Sequence, residues 1–149
     1  MPHTKYIIEE SLGYALGRSF RSLGALVNHH LAKEGHDITC EQGSILFNLG
    51  KKNGQSQQEL ACLVCKDKTT MTRLIDNMEK RNLVVRIPDK TDKRQKLIYL
   101  TKKGKDLQVK LIEVVQKTSK EAQKSIDLKD LEVCKKVLHQ VYENTKNAV

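Results

Sequence analysis

Residues 56–104 read SQQELACLVCKDKTTMTRLIDNMEKRNLVVRIPDKTDKRQKLIYLTKKG, and this stretch decides the fold. Ser56 followed by Glu59 is a capping-box pattern, which predicts that a helix begins there. Asp67 is a suitable N-cap for a second helix. The apolar residues of that second helix recur at the spacing of a single helical face: Met71, Leu74, Ile75 and Met78. The pattern therefore predicts two short helices joined by a tight turn, which is a helix-turn-helix motif.

A β-hairpin is predicted directly after this motif. Residues 83–87 and 96–100 are short, rich in β-branched and aromatic side chains, and separated by the polar loop 89–95. Pro88 is expected to end the first strand, and Asn82 is expected to adopt the left-handed conformation that ends the preceding helix. A long loop between two strands predicts an open, charged wing rather than a tight turn.

Long amphipathic helices are predicted on both sides of this stretch. One runs from about Ile8 to Ala32, and the capping-box pair Thr39 and Gln42 starts a shorter helix. Thr101 is expected to cap another long helix, and Asp127 is expected to cap the last one. The fold class is mainly α with a small β-hairpin wing: a winged helix-turn-helix core, 39–104, flanked by long helices in segments 1–38 and 105–149, in one compact domain.

The positive charge of the chain is concentrated in this core. The 149 residues carry a formal net charge of +9, and residues 51–105 alone hold 15 Lys and Arg against 6 Asp and Glu. A basic segment inside an otherwise neutral chain is typical of proteins that bind a polyanion. The 4% content of aromatic residues argues against a base-stacking platform for single strands. No membrane-spanning run or signal-peptide pattern is present, so a cytoplasmic location is expected.

The outer face of the second helix and the hairpin are the candidate contacts to double-stranded DNA. Residues in the first turns of a major-groove helix contact base edges, and here they are Lys68, Thr69, Thr70, Thr72 and Arg73. The wing candidates are Lys90, Asp92, Lys93, Arg94 and Lys96. We expect Arg73 to pair with a guanine, Arg94 to enter the minor groove, and Asp92 to fix the direction of Arg94. A polar face could alone be a solvated surface, but the basic hairpin beside it favours DNA.

Residues 56–104 resemble the winged-helix core of the MarR (multiple antibiotic resistance regulator) family. The matching motifs are the helix 67–81, the wing Asp-Lys-Thr-Asp-Lys-Arg at 89–94, and Leu-Thr-Lys-Lys-Gly at 100–104. Asn82 stands where a glycine is usual before the strand, and Cys65 stands in the turn where many helix-turn-helix proteins have glycine. The resemblance implies a homodimer built from the N- and C-terminal helices. It also implies a repressor, relieved by a small amphipathic or phenolic ligand, that binds a pseudo-palindromic operator.

The amphipathic helices support the dimer independently, because a core of about 60 residues offers too little surface to cover them. A monomer that folds its own helices back is the alternative.

Two further hypotheses about function stay open at this point. One is a thiol-based redox regulator of the same fold, with Cys40 as the best candidate because a helix N-terminus lowers the pKa of a thiol. Glu41 acts in the opposite direction, and Cys134 is expected to be part of the core. The other hypothesis is a non-specific architectural DNA binder. The sequence shows no catalytic residues, cofactor motif or metal-ligand spacing, so an enzyme is not expected.

Overall fold

The computed structural model describes residues 6–148, so the ends of the two predicted dimerisation segments, residues 1–5 and 149, lie outside the described residues. The chain divides into two compact units, Met1–Thr118 and Ser119–Val149. The first unit contains a short 3-10 turn, Ile8–Glu10, and the helices α1 (Leu12–Lys33), α2 (Cys40–Lys51), α3 (Gln57–Leu63) and α4 (Lys68–Lys80). It also contains the strands β1 (Gln55–Ser56), β2 (Val84–Pro88) and β3 (Lys96–Leu100).

Two more helices complete the fold. Helix α5 (Lys102–Ala122) begins in the first unit and ends in the second, and α6 (Leu128–Thr145) belongs to the second unit. The mainly α winged helix-turn-helix architecture predicted from the sequence is confirmed. The predicted division at 1–38, 39–104 and 105–149 stays a prediction. No helix within residues 6–148 is long and apolar enough to cross a membrane.

Capping side chains set the helix starts, as the sequence predicted. Thr39 and Ser56 each form a complete capping box with the residue three positions on, Gln42 and Glu59. Each box satisfies two backbone amides that a helix start leaves without a partner. Hydrogen bonds from Ser56 hold the pKa of the Glu59 carboxyl below its ordinary value. Asp67 caps α4 and Asp127 caps α6, again through side-chain hydrogen bonds.

The sheet has three antiparallel strands in the order β1-β3-β2. Val84 pairs with Leu100 and Pro88 with Lys96 across the hairpin. The two-residue strand β1, which the sequence did not predict, adds Gln55 and Ser56 opposite Ile98 and Leu97. Strand β2 ends at Pro88, as expected, but Pro88 itself is still part of the strand and pairs with Lys96. This is possible because β2 is an edge strand, where the missing amide hydrogen of proline costs no ladder bond.

The core joins the helix-turn-helix to the sheet and to α5. The apolar face predicted for α4 is fully or almost fully buried, and it packs with side chains from α2, α3, the sheet and α5: Ile45, Leu46, Leu49, Leu60, Leu83, Val84, Ile98, Leu111 and Val114. At Gly104 a β-carbon would overlap the Leu83 carbonyl oxygen, so only glycine allows α5 to approach the backbone just before β2 this closely. This packing fixes the orientation of α4 relative to the hairpin.

Several sequence expectations about helix ends and burial are corrected. Helix α1 begins at Leu12, after the N-cap Ser11, and not near Ile8. Leu63, the last residue of α3, is 54% exposed, because the helix ends there and its last turn leaves the core. Cys134 is exposed, and α6 has no buried residue among those described, so the expectation that Cys134 is part of the core is wrong for the single chain.

Candidate nucleic-acid interface

The outer face of α4 is a polar surface that is open to solvent. Lys68, Thr69 and Arg73 are exposed there, and they line a shallow depression together with residues one and two turns further along: Asp76, Asn77 and Lys80. Arg73 has no ion pair and no side-chain hydrogen bond within residues 6–148. Because the opposite face of α4 is locked in the core, this face has a fixed position from which its side chains can reach a groove.

Two of the five predicted groove residues on α4 already have partners within the chain. The Thr70 hydroxyl donates to the Asp67 carboxylate over 2.8 Å, and its amide donates to the same group over 2.7 Å. These two bonds hold the pKa of Asp67 below its ordinary value. The Thr72 hydroxyl donates to the Lys68 carbonyl and accepts a bond from the Gln57 amide, 2.6 Å away. The other three predicted α4 residues have side chains without a hydrogen-bond or ion-pair partner in the described chain: Lys68, Thr69 and Arg73.

Arg86 on β2 links the sheet to the helix-turn-helix, a role that the sequence did not reveal. Its guanidinium lies 2.6 Å from Asp76 and 2.9 Å from Glu79, both on α4, and 3.4 Å from Gln57 on α3. The Arg86 backbone amide also donates to Glu79. The Arg86 side chain is only 18% exposed, whereas its carboxylate partners Asp76 and Glu79 are 50% and 40% exposed. Arg86 therefore fixes α4 relative to the wing.

The wing carries four exposed cations, Lys90, Lys93, Arg94 and Lys96. In the described part of the chain none of these four side chains forms an ion pair or a hydrogen bond. We expected Asp92 to contact the Arg94 guanidinium, but the structure does not show this contact. Its carboxylate instead accepts the Arg94 backbone amide over 3.1 Å, and its carbonyl accepts the Gln95 amide. Asp92 thus shapes the backbone of the loop that carries Arg94.

The cysteine environments differ from the sequence expectation. Cys40, the redox candidate, is half-buried at the start of α2, and burial together with the neighbouring Glu41 carboxylate raises the pKa of its thiol. Desolvation of the thiolate outweighs the helix N-terminus, so the predicted lowering of this pKa is wrong. Cys62 and Cys65 are exposed at the turn between α3 and α4. Within residues 6–148, no group of His, Cys, Asp and Glu side chains is placed to hold a metal ion.

An apolar cavity of about 230 Å³ lies between α1, α2 and α5. Its walls are almost entirely hydrocarbon and include Phe20, Val27, Phe47 and Leu111. Cys40 and Ser44 also line it. The cavity is separate from the outer face of α4, and α2 forms one of its walls. The opposite side of α2 holds α4 through a 2.9 Å hydrogen bond from the Gln42 amide to Asn77.

Comparison with known proteins shows which proteins this chain is similar to. A sequence model of the MarR family matches residues 38–96, which include α2, the helix-turn-helix and most of the wing. The structure of apo MarR from Escherichia coli is similar over 91% of this chain and 98% of its own, with 25% identity and a TM-score of 0.77. The chain is therefore similar to MarR-family proteins in sequence over residues 38–96 and in fold over most of its length. Members of the MarR family are transcriptional regulators, not enzymes.

Further proteins show a similar likeness. HTH-type transcriptional regulator TtmR of Methylorubrum extorquens is 35% identical over 98 residues, which are 66% of this chain and 46% of TtmR. The chain thus spans about half the length of this curated relative. BpsR of Bordetella bronchiseptica, whose DNA binding is regulated by 6-hydroxynicotinic acid, is 18% identical with a TM-score of 0.82, covering 91% of this chain and 96% of its own. A mutant E. coli MarR complexed with operator DNA matches at 24% identity and a TM-score of 0.79, over 87% of this chain and 92% of its own.

Proposed function

We propose that this protein is a transcriptional regulator that binds double-stranded DNA in a sequence-specific manner. The proposal rests on one observation: the exposed face of α4, which the core holds in place, lies on the same unit as a wing with four exposed cations that form no ion pair in the described chain. Arg73 presents a free guanidinium, which can pair bidentately with a guanine in the major groove. The wing cations are placed to neutralise phosphates or, in the case of Arg94, to enter the minor groove. The E. coli MarR complex with operator DNA supports this assignment.

We propose further that the DNA-binding form is a homodimer. Large apolar side chains on α1 remain exposed in the single chain, among them Leu12 at 51% and Phe20 at 75%. The second unit by itself also exposes apolar residues on α6: Val133, Val137, Leu138 and Tyr142. Helices that each expose several large apolar side chains are typical of a subunit interface. A two-fold dimer presents two copies of α4, and its operator is then a pseudo-palindrome with half-sites about one helical turn apart.

The apolar cavity supports a repressor that a small ligand relieves. Its volume and hydrocarbon walls suit one aromatic ring system, and Cys40 and Ser44 leave a few polar atoms to orient it. A ligand that changes the position of α2 would act on α4 through the Gln42–Asn77 bond. The regulation of BpsR by 6-hydroxynicotinic acid supports a ligand of the phenolic or amphipathic class that the sequence suggested.

Selection of bound fragments from a genomic DNA library tests the proposal. We expect a small set of fragments that share one pseudo-palindromic motif, with affinity that falls steeply as salt rises, because many phosphates are contacted. Lys136→Ala on α6 is a matched control, since it removes an exposed positive charge from the other unit and should leave affinity nearly unchanged. Enrichment of unrelated fragments with equal affinity would instead indicate the non-specific architectural binder.

A further inference from the structure

Cys62 and Cys65 occupy two defined positions in the turn between α3 and α4. The Lys66 amide donates to the Ala61 carbonyl over 3.0 Å, and the Cys65 amide donates to the Cys62 carbonyl over 3.3 Å. These two nested bonds form the Schellman motif that ends many helices. Cys65 is its left-handed residue, with φ of 53°. The two cysteines are therefore the hydrogen-bonded pair at the ends of one tight turn.

This turn brings the two cysteines to the distance at which a disulfide forms. The Cα atoms at the ends of a tight turn lie within about 7 Å of each other, and disulfides join Cα atoms about 4.4–6.8 Å apart. The Cys65 sulfur already points back towards Cys62, because it lies 3.9 Å from the Cys62 carbonyl oxygen. Both side chains are exposed. A small oxidant can thus reach either sulfur without unfolding of the helix-turn-helix.

Cysteine is an unusual residue for the left-handed position of this turn. The φ of 53° is a backbone conformation that favours glycine, since a β-carbon is strained there. Cys40, by contrast, is half-buried, and the pKa of its thiol is raised. The geometry and exposure of Cys62 and Cys65 make them the pair suited to thiol chemistry.

We propose that Cys62 and Cys65 form a redox site, a dithiol that a low-molecular-weight disulfide converts into an intramolecular disulfide. One cysteine thiolate attacks the small disulfide, forms a mixed disulfide and releases one small thiolate. The second cysteine thiolate then attacks the protein sulfur of that mixed disulfide, closes the Cys62–Cys65 bond and releases the second small thiolate. The two protein thiols lose two electrons and two protons, and the small disulfide is reduced to two thiols.

A disulfide between Cys62 and Cys65 would form directly before α4, the helix proposed to bind DNA. Asp67, the N-cap of α4, follows Cys65 by two residues, and Lys68 and Thr69 follow at once. A bond between the two sulfurs requires the Cys65 side chain to rotate away from the Cys62 carbonyl and pulls on the backbone at Cys65. This displaces the first turn of α4 from its reduced position. We therefore expect oxidation to lower operator affinity, a consequence that rests on the proposed function.

The chemical half of the proposal is tested with the full-length Cys40→Ser/Cys134→Ser variant in buffers of reduced and oxidised glutathione. Trypsin cleaves after Lys52 and Lys66, so both remaining cysteines fall in one peptide, 53–66. We expect this peptide to lose two hydrogens under oxidising conditions and to regain them in excess reduced glutathione. Stable glutathione adducts on both cysteines, or unmodified thiols, would overturn the redox site. This readout does not depend on DNA.

The regulatory half is tested by operator binding in the same buffers. We expect several-fold weaker binding by the oxidised protein and recovery on reduction. Cys65→Gly, which suits the left-handed backbone, should bind equally well in both buffers. A disulfide that forms without any change in affinity would overturn the regulatory role. Failure of the reduced protein to bind any DNA would instead overturn the proposed function and leave the chemical result standing.

Discussion

Two neighbouring residues on α4, Thr72 and Arg73, show how contacts within the chain determine which side chains are free to bind DNA. The Thr72 hydroxyl bonds to the Lys68 carbonyl and to the Gln57 amide, so its role is to hold α3 against α4. The Arg73 guanidinium is exposed in the described structure and has no such partner. Sequence spacing predicts that both residues lie near the outer face, but only the positions of Gln57 and Lys68 show that one of them is already bonded.

Replacement of Arg73 by alanine is expected to weaken cognate binding by about 1–3 kcal/mol and to relax the base preference at one position. The cause is the loss of a bidentate contact to a base edge, while the buried face of α4 remains intact. Affinity is measured on the selected operator and on a scrambled duplex, and circular dichroism checks the fold. An equal loss on both duplexes would show that Arg73 contacts phosphate and does not read sequence.

Asp92 and Arg94 are expected to act as a coupled pair through the backbone of the wing. Asp92→Ala removes a negative charge near DNA, which by charge alone should tighten binding. Because the Asp92 carboxylate holds the Arg94 amide, we expect weaker binding instead. Arg94→Ala should weaken binding strongly with little change in thermal stability, and Asp92→Ala should then add little, as a double-mutant cycle would show. Lys93→Ala is the control, since it removes a wing charge without breaking this bond. Tighter binding by Asp92→Ala would contradict the backbone role.

At the scale of helices and strands, the sequence predicted what depends on neighbouring residues. The capping residues Thr39, Ser56 and Asp67 act within three positions of themselves, so the starts of α2, α3 and α4 follow from local spacing. The left-handed backbone at Asn82 follows from the same local logic. The sequence did not predict strand β1, because its two residues become a strand only by pairing with β3. Arg86 was missed for the same reason, since its carboxylate partners lie seven and ten residues away, on another element.

Replacement of Arg86 by alanine is expected to lower the free energy of unfolding by about 1–3 kcal/mol, because Asp76 and Glu79 lose the charged partner that links α4 to β2. Arg86→Lys keeps the charge but cannot bond both carboxylates and Gln57 with one planar fork, so an intermediate stability is expected. Urea unfolding at fixed protein concentration measures both. If Arg86→Lys were as stable as the unaltered protein, the geometry of the guanidinium would not matter and only its charge would.

At the scale of the whole molecule, charge and apolar surface lie in different parts of the chain. The formal excess of positive charge falls within residues 51–105, which hold the helix-turn-helix and the wing. The long helices outside this segment are neutral in sum and expose large apolar side chains on α1 and α6. This separation agrees with the proposed binding of a polyanion by the core and with the proposed association between chains through the flanking helices. The sequence pattern predicted both roles, and the association between chains stays a prediction; the pattern could not show which apolar residues stay exposed.

An aspartate on α1 is expected to convert the proposed dimer into a monomer. Phe20 is 75% exposed, and a carboxylate there would be buried without a partner in any apolar interface that covers it. Phe20→Asp should therefore shift the mass measured by sedimentation equilibrium to that of one chain, and it should lower affinity for the full operator far more than for an isolated half-site. Phe20→Leu keeps the surface apolar and should stay dimeric. Because Phe20 also lines the apolar cavity, Leu12→Asp, outside the cavity lining, must give the same result. A Phe20→Asp protein that remains dimeric would place the interface elsewhere on the chain.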